Sequence, residues 1–272
     1  MAFLYDVRRT RRNILITIQN YVKATSLEEA YELNQKRSCR ILGGMMWMRL
    51  GTANVQTVVD LSGLGLDQIE ETEEEFSIGC MVSLREMEIH QGLNKYFHGA
   101  IADCVKDIIG VQFRNQATIG GSVFGRFGFS DVLTCLLALD TSVELYKGGL
   151  VPLAEFIKMK RDNDILVRIR IRKDGRSICY LAERIAKTDF PVIAAAAAVK
   201  GDQVFVSIGA RPMKAALFQT ELAEYTEEAI RGCAKAAAQS MTYGSNMRGS
   251  ETYRRHLAEV CVRRALEKAA EQ

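Results

Sequence analysis

The chain reads as a mixture of helices and strands in two domains, with a boundary near Arg172. Three observations predict this. Helix-capping patterns alternate with short β-branched runs through the first 172 residues. From Ile165 a period-two alternation sets in, followed by turn signals of a strand meander. Two long helical stretches then close the chain.

Each element follows from its residues. Ser26-Leu-Glu-Glu29 is a capping box that opens a helix to about Asn34. Ile41 and Leu42 form a short strand that stops at Gly43-Gly44. Residues 55–61 and 76–80 are strands, the first rich in β-branched residues. Ser83-Leu-Arg-Glu86 repeats the capping box and starts a short helix. Residues 96–109 read as one longer helix, with Ile101, Val105 and Ile108 on one stripe. A glycine-rich segment follows. Ser130 or Asp131 can cap a helix over residues 132–139, and residues 141–146 are a strand. Ile165, Val167, Ile169 and Ile171 then point one way, while Leu166, Arg168, Arg170 and Arg172 point the other. Lys173-Asp-Gly-Arg176 reads as a hairpin turn with a return strand over 178–181. Residues 190–199 and 204–208 form a second hairpin around Gly201-Asp202. Helices over about 226–240 and 251–270 complete the chain.

Composition excludes several classes. The chain has 272 residues, 48% of them hydrophobic, enough for a substantial core. A net charge of +3 argues against a nucleic-acid coat, and the basic run Arg8, Arg9, Arg11, Arg12 reads as a small surface patch or subunit rim. No stretch reaches the roughly 20 apolar residues of a membrane span, and no secretory signal is recognisable at the N-terminus. The seven cysteines are scattered with no C-x-x-C pair, which argues against a local zinc or iron–sulfur site and fits a reducing cytoplasm.

Chemistry concentrates in two Gly-Gly segments. Gly43-Gly44 ends a strand; it suits a tight turn, and it equally suits a diphosphate laid over its backbone amides. Thr118-Ile-Gly-Gly-Ser122 flanks two closely approachable amides with hydroxyls, and it too can be a plain turn between core elements. Neither matches G-x-x-x-x-G-K-[ST] or a strand-to-helix G-x-G-x-x-G. Asp131 can accept from ribose hydroxyls or merely cap its helix. Trp47 can stack on a flavin or adenine ring or fill the core. His90, His98 and His256 lack metal spacing. The basic helix around Tyr253–Leu266 is a solvated face or a subunit docking face.

The segment Gly110-Val-Gln-Phe-Arg-Asn-Gln-Ala-Thr-Ile-Gly-Gly-Ser122, followed by Phe129-Ser-Asp131, resembles the signature of the FAD-binding subunit of molybdenum hydroxylases. That family includes the medium subunits of xanthine, carbon monoxide and nicotinate dehydrogenases. Ile41-Leu-Gly-Gly44 resembles its first FAD loop. Thr188-Asp-Phe-Pro-Val192, Gly249-Ser-Glu-Thr-Tyr-Arg-Arg-His-Leu257 and Val262-Arg-Arg-Ala-Leu266 resemble its C-terminal flavoprotein domain. The resemblance implies an α+β fold: a vanillyl-alcohol-oxidase-like (PCMH-type) FAD-binding domain of two subdomains over residues 1–172, then a small CO-dehydrogenase-flavoprotein C-terminal-like domain over 173–272. It implies FAD contacts at Ile41, Leu42, Gly43, Gly44, Met45, Met46 and Trp47, at Thr118, Gly120, Gly121 and Ser122, and at Ser130 and Asp131. The diphosphate would lie between the two Gly-Gly segments and Asp131 would take the adenosine ribose. No catalytic acid–base residue is expected. Two positions depart from the family: Met45-Met46 replace a small hydroxyl residue and a polar one, and Ser122 replaces Asn; backbone contacts survive both changes. By resemblance, molybdopterin sits on a large partner subunit and 2Fe-2S clusters on a small one, and electrons pass through FAD to an acceptor, NAD first among the choices. A stand-alone flavin oxidoreductase, or an assembly protein with a decayed nucleotide pocket, are the alternatives.

Overall fold

The computed structural model describes residues 15–272, so the Arg8–Arg12 run lies outside the described residues. The first subdomain is a parallel sheet. β1 (Thr17–Lys23) leads through α1 (Leu27–Asn34) to β2 (Cys39–Leu42) and β3 (Asn54–Asp60), in the order β1-β3-β2. Parallel strands need a crossover: α1 makes it from β1 to β2, and the segment 43–53 makes it from β2 to β3. The Ser26 hydroxyl accepts from the Glu29 amide at 3.1 Å, as the capping box requires. Its reciprocal arm is shifted by one residue, because the Glu29 carboxylate accepts from the Thr25 amide and hydroxyl at 2.8 and 2.7 Å. β1 carries no sequence signal, since its polar, largely exposed residues show no clean alternation.

The second subdomain is an antiparallel sheet with helices packed against it. β4 (Ile69–Glu71) and β5 (Glu75–Gly79) come first. Six short helices follow: α2 (Leu84–Ile89), α3 (Gln91–Tyr96), α4 (Ala100–Val105), α5 (Val111–Arg114), α6 (Ile119–Phe124) and α7 (Asp131–Leu137). The chain returns through β6 (Thr141–Leu145), β7 (Gly149–Pro152), α8 (Leu153–Phe156) and β8 (Leu166–Arg172), with strand order β4-β5-β8-β6-β7. The Ser83 capping box at α2 is complete in both directions. From Val167 the alternation on β8 is as expected: Val167, Ile169 and Ile171 are buried, while Arg168, Arg170 and Arg172 reach Glu70, Glu75, Glu144 and Asp140. Leu166, expected to face outward with the arginines, is buried instead, where the pairing with β6 shifts register.

The single helix expected over residues 96–109 is broken. The chain turns between α3 and α4 at His98 (φ 50°) and Gly99 (φ 81°), a left-handed pair that glycine enters without a Cβ clash. Asn94 replaces the lost ladder bonds. Its amide donates to the carbonyls of Glu88 and His90 at 2.8 and 3.0 Å, and its Oδ1 accepts from the Ala102 amide at 3.1 Å. The apolar stripe survives the break, with Ile101 and Val105 fully buried.

The C-terminal half holds a third sheet. It comprises β9 (Ser177–Glu183), β10 (Ile193–Lys200), β11 (Gln203–Gly209) and β12 (Ala216–Glu221), in the order β12-β11-β10-β9, followed by α9 (Glu227–Gln239) and α10 (Glu251–Ala270). Lys173–Arg176 does not close a hairpin as expected. β8 already pairs with β5 on one edge and β6 on the other, so it has no edge left for β9, and the chain crosses into a new sheet. The β10–β11 hairpin forms as expected, with Gly201 left-handed at its turn.

β10 joins the two halves. Ala194, Ala196 and Ala198 face the core shared with the second subdomain, while Ala195 and Ala197 face the core beneath α9 and α10. Alanine on both faces lets helices approach closely from each side. The apolar side of α10 packs on this sheet, and its half-buried arginines Arg255 and Arg263 pair with Glu251 and Glu267 along the helix. Arg254 is buried and donates to the carbonyls of Val192, Ala210 and Gly249, tying α10 to the ends of β10 and β11. Among the described residues, no helix is long and apolar enough to cross a membrane.

Candidate cofactor-binding cleft

A cleft of about 330 Å³ opens where the first Gly-Gly segment, the start of α6, the start of α7 and the β9–β10 connection converge. That volume lies at the lower end of the roughly 300–1,000 Å³ typical of small-molecule sites. Ile41, Gly43, Gly44, Met45, Met46 and Trp47 line it from one side. Thr118, Gly121 and Ser122 line it from a second, and Ser130 and Asp131 from a third. Leu42 and Gly120 stand behind the wall. Leu42 packs with Val55 and Val58 beneath the parallel sheet.

The first segment is open. The backbone N–H groups of Gly43, Gly44, Met45, Met46 and Trp47 donate to no acceptor among the described residues. Met45 takes a left-handed backbone, φ 56°, which turns the run over itself. Steric need explains the glycines. A Cβ on Gly44 would lie 1.7 Å from the Gln116 carbonyl oxygen, and one on Gly43 would lie 2.7 Å from Thr118 Oγ1. The two glycine segments, far apart in sequence, therefore touch.

The second segment differs from expectation. It is not an open turn but the first turn of α6, capped by Thr118. The Ile119 and Gly120 amides donate to the carbonyls of Val82 and Cys80, each at 2.9 Å. The Gly121 amide donates to Thr118 Oγ1 at 3.2 Å and the Ser122 amide to the Thr118 carbonyl at 3.1 Å. All four donors are spoken for. A Cβ on Gly120 would lie 2.5 Å from the Cys80 carbonyl oxygen, so packing at the end of β5 by itself requires glycine there. One open amide run thus faces one capped helix start, in place of two matching amide nests.

Aromatic rings form the far wall. Trp47, 39% exposed, lies 5.6 Å from Phe190 in a stacked arrangement, 5.3 Å from Phe129 and 5.9 Å from Phe127. It is a cleft residue and not a core filler. Ile109 adds to the rim with φ 54°, a strained conformation for a β-branched residue. Arg114 holds it there: Nη1 donates to the Ile108 carbonyl at 3.2 Å while Nε and Nη2 grip Glu88 at 2.7 and 3.1 Å.

Asp131 is not the helix cap. Ser130 is, its hydroxyl accepting from the Leu133 amide at 3.1 Å. Asp131 is the first residue of α7 and is 5% exposed. Its Oδ1 accepts from the Tyr180 hydroxyl and from Arg184 Nη2, the latter at 2.7 Å. Burial pushes the Asp131 carboxyl above the usual carboxylate range, against the pull of Arg184 and Tyr180. Burial and the neighbouring carboxylate also raise Tyr180. Arg184 meets burial that would lower it, but pairing with Asp131 outweighs this and raises it. Its Nη1 donates to the Asp189 carbonyl at 2.6 Å, and the Asp189 carboxylate is held low by its bond to Arg248. Arg184, Thr188, Asp189 and Phe190 all line the cleft. The Thr188–Val192 motif is legible in the sequence but points only to the C-terminal domain. Arg184 has no local signal, since its partner lies 53 residues away.

Residues 16–172 match the family described as the FAD binding domain in molybdopterin dehydrogenase. The chain belongs to this family. Residues 180–269 match the CO dehydrogenase flavoprotein C-terminal domain. YgfM of Escherichia coli K12, an uncharacterized protein, is 23% identical over 252 residues, which span 90% of this chain and 94% of YgfM. Carbon monoxide dehydrogenase from Hydrogenophaga pseudoflava superposes with a TM-score of 0.83 at 22% identity, covering 93% of this chain and 97% of that one. Quinoline 2-oxidoreductase from Pseudomonas putida 86 gives 0.81 at 20%, covering 93% and 96%. These likenesses show a common α+β fold.

This FAD-binding domain carries FAD, and the cleft suits it chemically. Unengaged amides beside a strand end suit phosphate oxygens. An aromatic wall suits a planar ring. Asp131, with Oδ2 making no hydrogen bond among the described residues, suits a ligand hydroxyl. The seven cysteines are free and individually buried, and burial pushes Cys80 and Cys261 each up to about 12, so neither of these two is a ready thiolate.

Proposed function

We propose that this chain is the FAD-holding electron-transfer subunit of a molybdopterin-dependent hydroxylase or dehydrogenase. It would take electrons from 2Fe-2S clusters of a small partner subunit, fed by a large molybdopterin subunit, and hand them to NAD in the cytoplasm. The observation that carries this reading is the open amide run Gly43–Trp47 set beside the aromatic wall in one cleft. FAD, when bound, supplies the redox chemistry; the protein's part is binding, orientation and electrostatics.

The assigned roles follow from the donors present. The amides of Gly43 to Trp47 hold the diphosphate. Thr118 offers its hydroxyl proton at its edge, while the Ser122 hydroxyl already donates to the Thr118 carbonyl at 3.0 Å. Asp131 accepts from a ribose hydroxyl through Oδ2. Trp47, Phe127, Phe129 and Phe190 exclude water and provide a ring-stacking surface. Residues 1–172 carry most of the site, and residues 173–272 close it through Arg184 and Phe190. No side chain here is assigned a catalytic proton transfer.

The test has three readouts. The purified chain should bind FAD and show a visible flavin band. Expression beside candidate small iron–sulfur and large molybdopterin proteins should yield a complex. Anaerobic NADH should bleach the bound flavin. A chain that cannot take up FAD would refute the assignment. Full substrate turnover by the isolated chain would replace it with a stand-alone flavin oxidoreductase.

A further inference from the structure

We propose that Arg184 is a positioning residue for the cofactor: through Asp131 it couples FAD binding to the docking of the C-terminal half. This rests on the reading that Asp131 faces FAD. Three observations carry it. First, Arg184 and Tyr180 both come from β9 or its end, yet each gives one donor to Oδ1 of a carboxylate that belongs to α7 of the FAD-binding half. Oδ2 is thereby left without a hydrogen bond among the described residues, on a side chain that lines the cleft. Second, the pair is dry, with side chains 8% and 6% exposed, so neither charge can rely on water for compensation. Third, the same guanidinium bonds the Asp189 carbonyl, and Asp189 begins the Phe190 wall. One side chain therefore fixes both the acceptor and the segment that covers it.

The groups around Asp131 define what its loss would do. Arg184 and Tyr180 favour the carboxylate. Asp107, just past α4, disfavours it, and Cys104 of α4 is near enough to feel its charge. Without Arg184, only a phenol O–H opposes burial and Asp107. Asp131 would then take up a proton at a higher pH than in the wild type, and a neutral carboxyl is the weaker acceptor for a hydroxyl.

The experiment measures FAD affinity against pH by flavin fluorescence, with thermal melting as a folding control. Arg184→Met should bind FAD about 10-fold or more weakly near neutral pH, within the usual range of site-to-site coupling. Its affinity should also fall off at a higher pH than that of the wild type. Arg184→Lys should recover part of both. Asp131→Asn should bind weakly with no such pH step, and Arg184→Met/Asp131→Asn should be no weaker than Asp131→Asn alone. By reciprocity, FAD should slow amide exchange over residues 184–190 in the wild type, a readout that needs no variant to fold. If Asp131→Asn binds FAD normally, the placement of Asp131 is wrong and the proposal goes with it. If Asp131→Asn is weakened while Arg184→Met keeps the wild-type affinity and pH step, the coupling alone is overturned. Exchange over 184–190 that ignores FAD would overturn it as well.

Discussion

Gly44→Ala separates packing from flexibility at the point where the two glycine segments meet. Gly44 does not occupy the left-handed region, so alanine meets no backbone strain there. The obstacle is steric. The new Cβ would sit 1.7 Å from the Gln116 oxygen, 2.4 Å from its carbonyl carbon and 2.9 Å from Ala117 Cα. Ordinary contact needs about 3.5–4 Å, so the segments must part by roughly 2 Å, and backbone atoms cannot swing aside like a side chain. Overpacking of this kind costs about 1–3 kcal/mol, and a clash with main chain belongs near 3. That is roughly a hundredfold in the folding equilibrium and about 6–12 °C in melting temperature for a chain of this size. Parting the segments also moves the open amides away from Thr118, so FAD affinity should fall as well. Gly121→Ala is the control. Its Cβ meets only Thr118 Oγ1 at 3.3 Å, and alanine gains about 1 kcal/mol of helix propensity there. Its stability should stay within about 1 kcal/mol of the wild type. Gly120→Ala, 2.5 Å from the Cys80 oxygen, should lower the melting temperature while its folded fraction binds FAD normally. Thermal melts with flavin titrations read all three. A Gly44→Ala protein that melts and binds like the wild type would show that the segments do not touch.

Trp47 is the sole tryptophan, so FAD titration should quench intrinsic emission, and unquenched emission would place the ring system elsewhere. Trp47→Ala should weaken FAD binding while destabilising the apoprotein by less than the roughly 3–5 kcal/mol of a fully buried site. Glu88→Gln leaves the buried Arg114 guanidinium uncompensated, which should cost about 3–5 kcal/mol and loosen the Ile109 rim. Burial raises Glu88, but Arg114 and Arg85 outweigh it and hold the carboxyl below its ordinary value. A depressed carboxylate stabilises the fold above its unfolded pKa and loses that stabilisation as pH falls through the folded one. Acid melts should therefore show a wild-type loss beginning below about pH 4–5 that Glu88→Gln lacks.

Local signals in the sequence determined much of this protein. Capping residues Ser26, Ser83 and Ser130, the alternation on β8, the β10–β11 turn and the two closing helices are all set by neighbours a few residues away. The two Gly-Gly segments and Asp131 also declared themselves, because tight approach and buried charge demand particular residue types. Tertiary structure decided the rest. β9 could not join β8, because both edges of β8 were already taken. The helix expected over 96–109 broke because Asn94 and Gly99 offered its backbone other partners. The Thr118 segment became a capped helix because Val82 and Cys80 claimed its amides. Arg184 entered the cleft only because β10, alanine on both faces, lets the C-terminal sheet lie close against α7. Caps and periodicities act over one or two turns of chain, whereas edge occupancy and ion pairs between halves exist only once distant segments have been brought together.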